Sequence, residues 1–129
     1  MSVTDDLLAA VRARLDRLAP AAAATEPDAV LVDIRPVAFR AAEGEIPGVL
    51  IVERNVLEWR FAPDSEWRLP QAGPDARVVL FCNEGYASSL AADTLRRLGV
   101  RRATDMDGGF RAWAAAGLPT VPGGSSAVP

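Results

Sequence analysis

The chain carries one cysteine, and its setting raises the question of nucleophilic chemistry. Cys82 follows the apolar run Val78-Val79-Leu80-Phe81 and precedes Asn83-Glu84-Gly85-Tyr86-Ala87-Ser88-Ser89. An amphipathic segment then runs to Gly99. A cysteine at the carboxyl end of a buried strand, just ahead of a helix, lies at the edge where open α/β sheets gather ligands. The connecting loop can curl so that successive backbone N–H groups converge on an anion, and the helix N-terminus adds partial positive charge there. Thiols so placed titrate below a free cysteine. Gly85 supplies the backbone freedom such a turn needs, and Ser88 and Ser89 offer hydroxyls to the helix cap or to the sulfur. The alternative is that Cys82 is simply the last packed residue of its strand.

Composition narrows the chemistry. All fourteen basic residues among the 129 are arginine, and there is no histidine. A histidine base, a Schiff-base lysine and a histidine-containing metal site are therefore excluded. A single cysteine also excludes an internal disulfide and a CxxC redox pair. A net charge of −3 gives no electrostatic reason to expect nucleic acid or an anionic membrane as a partner. The N-terminus reads as neither signal peptide nor membrane span, so the protein is expected in the cytoplasm, where a thiol stays reduced.

The elements that must position Cys82 can be read from the pattern. Thr4 can cap a first helix whose apolar face is Leu7, Leu8, Val11, Leu15 and Leu18, and Pro20 can open a second short helix. Strands are expected at 29–34, 49–52, 77–81 and 103–106. Helices are expected from Pro36 to Ala42, from Ser88 or Ser89 to Leu98, and from Phe110 to Ala116. This alternation means a parallel α/β sheet. The segment 54–76, with two tryptophans and three prolines, breaks the rhythm and is expected to form an ordered surface loop that can cover a cleft.

At this point the residues resemble a family. Cys82-Asn83-Glu84-Gly85-Tyr86-Ala87-Ser88 is similar to the active-site loop of rhodanese-like domains, commonly Cys-Arg-x-Gly-x-Arg-Ser. Leu31 to Pro36 (LVDIRP) resembles the strand bearing that family's Asp-x-Arg. Gly44 to Val49 (GEIPGV) resembles its Gly-His-Ile-Pro-Gly-Ala signature, and Asp107 to Pro119 (DGGFRAWAAAGLP) its Gly-Gly-x-x-x-Trp ending. The resemblance spans about residues 16–122. It implies a three-layer fold with a parallel five-stranded sheet flanked by helices, in which residues 16–19 are extended. Residues 1–15 then form an N-terminal helical extension, and 123–129 a tail that is flexible by composition.

The implied chemistry is sulfur transfer. The Cys82 thiolate takes the outer sulfur of a small donor, becomes a persulfide, and yields that sulfur to a thiol, a cyanide-like acceptor or a sulfur-relay protein. The family needs no metal or organic cofactor for this. Two departures matter. Asn83 and Ala87 stand where the family has loop arginines, and Glu84 adds a negative charge, so a dianion such as thiosulfate should bind poorly. A noncatalytic binding or sulfur-carrier module is the competing reading. Cysteine phosphatases of similar fold need an arginine six positions after the cysteine; that position is Ser88, and this reading is rejected.

Other candidates have two readings each. Asp33 and Arg35 can line the pocket or pair to fix the following turn. Arg54, Arg60 and Arg68 can replace the missing loop cations or be solvated surface charge. Trp59, Phe61 and Trp67 can wall the cleft or pack half-buried. Tyr86 should border the pocket mouth, Trp113 should pack behind the loop, and Glu45 is expected to be a surface substitution.

Overall fold

The computed structural model describes residues 2–129. Four parallel strands form the central sheet: β1 (Ala29–Asp33), β2 (Leu50–Ile51), β3 (Arg77–Phe81) and β4 (Thr104–Asp105), in the order β2-β1-β3-β4. The long central pair runs in register from Ala29 beside Arg77 to Asp33 beside Phe81. Every residue of β3 is buried, as a strand covered on both faces requires. Its side chains alternate. Val78, Leu80 and then Cys82 join one apolar layer with Leu57, Phe61, Ala91 and Leu95, while Val79 and Phe81 join the other with Ala23, Met106, Phe110 and Trp113.

The helices that make these layers are α1 (Val3–Arg12), α2 (Pro20–Thr25), α3 (Val37–Glu43), α4 (Leu57–Phe61, preceded by a 3-10 turn at Arg54–Val56), α5 (Ala87–Arg97) and α6 (Gly109–Ala115). The expected fifth strand is reduced to a single parallel bridge between Leu18 and Met106. Leu18 donates to the Asp105 carbonyl and accepts from the Asp107 N–H. Pairing stops there because Pro20, two residues on, has no N–H and opens α2. The first helix is also shorter than its apolar spacing suggests. Ser2, not Thr4, caps it through a reciprocal bond with Asp5, and it ends at Arg12.

Two further expectations are corrected. Glu45 is 4% exposed: it meets Arg40 at 3.4 Å and accepts the Ser125 N–H at 2.9 Å. Burial opposes its charge, but bonds from Ser125, the Gly124 N–H and the Arg40 cation outweigh that and hold the carboxyl below its ordinary range. The tail, expected to be flexible, is tied down by the same cluster. Arg40 donates to the Ser125 carbonyl and Val128 to the Ile51 carbonyl. At Gly123 any side chain would collide with the Arg40 backbone.

Candidate functional site

Cys82 leaves β3 on the carboxyl edge of the sheet and lines a cavity of about 530 Å³. Ile34, Pro36, Phe39, Tyr86 and Ala87 give the cavity an apolar wall, and Glu53, Arg54, Asn83 and Glu84 a polar one. The loop from Cys82 turns back on its own sulfur: the Gly85 N–H donates to Cys82 Sγ at 3.2 Å. Gly85 has φ +89°, and a Cβ there would lie 2.8 Å from the Gly108 nitrogen, so both conformation and space require glycine.

The backbone of this loop is held by its carbonyls. The Cys82 and Asn83 oxygens accept the N–H groups of Phe110 and Arg111, at the start of α6. The Gly85 oxygen accepts Arg12 Nη2 at 2.6 Å and Arg17 Nη2 at 3.0 Å. In a planar trans peptide the N–H points opposite to the C=O. Fixing these three carbonyls therefore turns the N–H groups of Asn83, Glu84 and Tyr86 away from their anchors. Among the described residues these three N–H groups find no acceptor. The N-terminus of α5 lies directly after them. Backbone N–H groups left free in a loop ahead of a helix N-terminus are the kind of arrangement that can receive an anion. The Gly-Gly pair of the last motif has a matching reason. A Cβ on Gly109 would lie 2.5 Å from the Cys82 oxygen, so only glycine lets α6 approach the loop this closely.

Behind the sulfur lies a charged network that the motif does not announce. Ser88 and Ser89 do not cap α5; Tyr86 occupies the cap position and makes no side-chain cap bond. Both serines are buried in the first turn and donate to Asp105 Oδ2, at 2.7 and 2.8 Å. With its proton so committed, Ser88 Oγ, 3.4 Å from Cys82 Sγ, is an acceptor for the thiol proton. Arg17 closes the network by binding both Asp105 oxygens. Burial works against the Arg17 charge, but Asp105, then Asp107 and Cys82, raise its pKa above the ordinary value. Arg12, Arg17 and Asp105 escaped the motif reading. The one available signal was Asp105 itself, a carboxylate inside a short buried strand, which must find partners.

The other candidates separate. Arg35 lines the cavity but is 2% exposed and committed: it forks onto Asp33, donates to the Gly44 carbonyl and to Asn83 Oδ1, and lies over the Phe110 ring. Asp33 also accepts the Arg35 backbone N–H, so the pair fixes the turn after β1. Asn83, at a family arginine position, is held between Arg35 and Glu43. Glu84 lies 3.4 Å from Arg111, which also pairs with Glu43. Arg54 lines the cavity and spends only Nη1 on Glu58. Arg60 is not at the cavity; it donates to the Trp67 carbonyl. Phe61 is core, and Trp59 and Trp67 stand exposed beside a separate groove with Thr94 and Leu98. Of the long segment, only its first residues wall the Cys82 cavity. Trp113 is buried beside Phe110 and donates to the Pro119 carbonyl.

Comparison with known proteins places the chain in a family. The Rhodanese-like domain matches residues 18–116, and the chain belongs to that family. A sulfurtransferase of Allochromatium vinosum is 35% identical over 94 residues, covering 73% of this chain and 79% of its own. The solution structure of the polysulfide-sulfur transferase homodimer from Wolinella succinogenes superposes with a TM-score of 0.72 at 28% identity, over 90% of this chain and 85% of that one. A Rhodopseudomonas palustris protein of unknown function, described as a possible tyrosine phosphatase, superposes with a TM-score of 0.83 at 30% identity, over 94% and 96% of the two chains. Among the described residues no helix is long and apolar enough to cross a membrane.

Proposed function

We propose that this protein is a sulfurtransferase that carries sulfane sulfur on Cys82. The observation behind this reading is the loop itself: a lone thiol on a cavity, with the Gly85 N–H on its sulfur and three further loop N–H groups that find no acceptor among the described residues. The Cys82 thiolate attacks the outer sulfur of a donor. A new S–S bond forms to Sγ, and the donor's own sulfur–sulfur bond breaks, its electron pair leaving on sulfite, a thiolate or a shortened polysulfide. A thiol or cyanide then attacks the terminal sulfur, and Cys82 departs as thiolate. No net oxidation or reduction of the protein occurs. These N–H groups serve both halves, because the attacking thiolate, the persulfide and the departing thiolate are all anions.

The cavity wall narrows the donor class. Arg54 is the cation there with N–H groups to spare, Arg35 is largely committed, and Glu53 and Glu84 are close by. Donors with an apolar or sulfur-rich body and no compact sulfonate-like dianion next to the transferred sulfur, such as organic persulfides and polysulfides, suit this wall better than thiosulfate. We take residues 16–122 as the domain that performs the chemistry.

The phosphatase reading has no support in the loop. Ser88 stands where the oxyanion-binding arginine would be, and its hydroxyl is committed to Asp105. A sulfur carrier with little turnover remains the second reading, favoured by the loss of both loop arginines. Steady-state transfer to cyanide from thiosulfate and from glutathione persulfide separates the two. The enzyme reading expects sustained turnover with the persulfide, abolished by Cys82→Ser. A single stoichiometric burst with every donor would instead identify a carrier.

A further inference from the structure

We propose that Arg12 is a positioning residue of the Cys82 loop, braced by Arg17; this rests on the sulfur-transfer reading of the same site. Arg12 is the last residue of α1, outside the segment matched by the family. Its guanidinium makes three contacts with the loop and the helix after it. Nη2 donates to the Gly85 carbonyl at 2.6 Å, Nε donates to Ser89 Oγ at 3.2 Å, and the group lies 5.4 Å from the centre of the Tyr86 ring.

The consequence follows from peptide geometry. The Gly85 carbonyl and the Tyr86 N–H belong to one rigid unit, so the arginines that hold the oxygen on the outside set the direction of the N–H on the inside. Arg17 shares the oxygen, but its charge is largely met by Asp105 and Asp107. Arg12 forms no ion pair among the described residues. Its positive charge is therefore not taken up by a carboxylate of the described residues, and its closest partner is the Gly85 carbonyl of the loop. Asn83 and Ala87 cannot supply a cation to the front of the loop, and Arg12 supplies one from behind, through backbone instead of donor contact. Such a cation favours the anionic sulfur without adding affinity for the donor.

That distinction makes the inference testable. Arg12→Gln removes the charge and the fork, Arg12→Lys keeps a cation able to reach a carbonyl, and Arg14→Gln is the control. Arg14 lies two residues on and binds Asp93, away from the loop. Two rates are measured on the full chain: alkylation of Cys82 by iodoacetamide at fixed pH, and sulfur loading from glutathione persulfide across a concentration series. The loss of a charged hydrogen bond predicts that Arg12→Gln slows alkylation and saturating loading about tenfold, with half-saturation unchanged. Arg12→Lys should recover most of both rates, and Arg14→Gln should change neither despite a similar effect on Tm. Equal behaviour of the Gln variants, a loss confined to half-saturation, or no rescue by lysine overturns the proposal. Alkylation does not depend on sulfur transfer. If the wild type loads no sulfur, the proposed function fails, and the order of the alkylation rates still decides the role of Arg12.

Discussion

Ala87→Arg should convert a poor thiosulfate user into a better one. Asn83 is the less useful site for restoring a cation, because its side chain already joins Arg35 to Glu43. Ala87 begins α5, is exposed, and lines the cavity that holds Cys82, so a long side chain has room and a short path to the donor. A charge-assisted hydrogen bond to an anion contributes roughly 1.5–3 kcal/mol. The cost of a cation in the first turn of a helix, about 0.3–1 kcal/mol, falls on the stability of the fold and not on donor binding. Glu53 and Glu84, on the same cavity, compete for the new guanidinium. A net gain of about 1–2 kcal/mol remains, or roughly tenfold in kcat/KM for thiosulfate. Most of it should appear in KM, because the arginine meets the donor before and during the reaction alike. Glutathione persulfide should gain less. The assay is thiocyanate formation from thiosulfate and cyanide at one fixed ionic strength. Efficient thiosulfate use by the wild type, with no response to Ala87→Arg, would refute the reasoning and show that a cation outside the loop already binds the donor.

Arg54→Ala should raise KM for anionic donors several-fold, whereas Arg60→Ala should not, because only Arg54 reaches the cavity; the same kinetics decide this. Gly85→Val should cost sulfur loading far more than its stability loss explains, since a Cβ there meets the Gly108 backbone and φ must stay positive; loading and thermal melting on one preparation check it. Glu45 has a carboxyl pKa lowered by its partners, so its contribution to stability is complete above the ordinary carboxylate value of about 4.3 and is lost as pH falls below it. Glu45→Gln should therefore lower stability at neutral pH and flatten the acid limb of a Tm-against-pH curve.

The pattern of apolar runs and breakers was enough for the parallel sheet and the placement of Cys82 at its carboxyl edge, because both depend on local periodicity. Five strands became four because Pro20 ends the pairing that Leu18 begins, a competition that the apolar spacing of 15 and 18 conceals. Glu45 looked like surface because a carboxylate usually is. Its burial depends on Arg40 and on Ser125, eighty residues away, and no local pattern links them. The same holds for the support of the site. Cys82, Gly85 and the second glycine of the last motif are legible because each sits in a short local motif, although the contacts that require the glycines run between the two motifs. Arg12, Arg17 and Asp105 meet across nearly the whole chain, so their roles emerge only in three dimensions. The tryptophans misled for a simpler reason: aromatic residues in a long connection can wall any groove, and Trp59 and Trp67 wall another one.

The central claim is that Cys82 holds transferable sulfur, and intact-protein mass spectrometry tests it most directly. The full chain is mixed with glutathione persulfide, polysulfide or thiosulfate in turn, desalted, and weighed before and after addition of cyanide. The account predicts a gain of one sulfur on the wild type with the first two donors and weaker loading with thiosulfate. Cyanide should remove that sulfur, and Cys82→Ser should show none of it. A wild type that gains no sulfur from any donor, or a Cys82→Ser variant that gains it equally, would contradict the account.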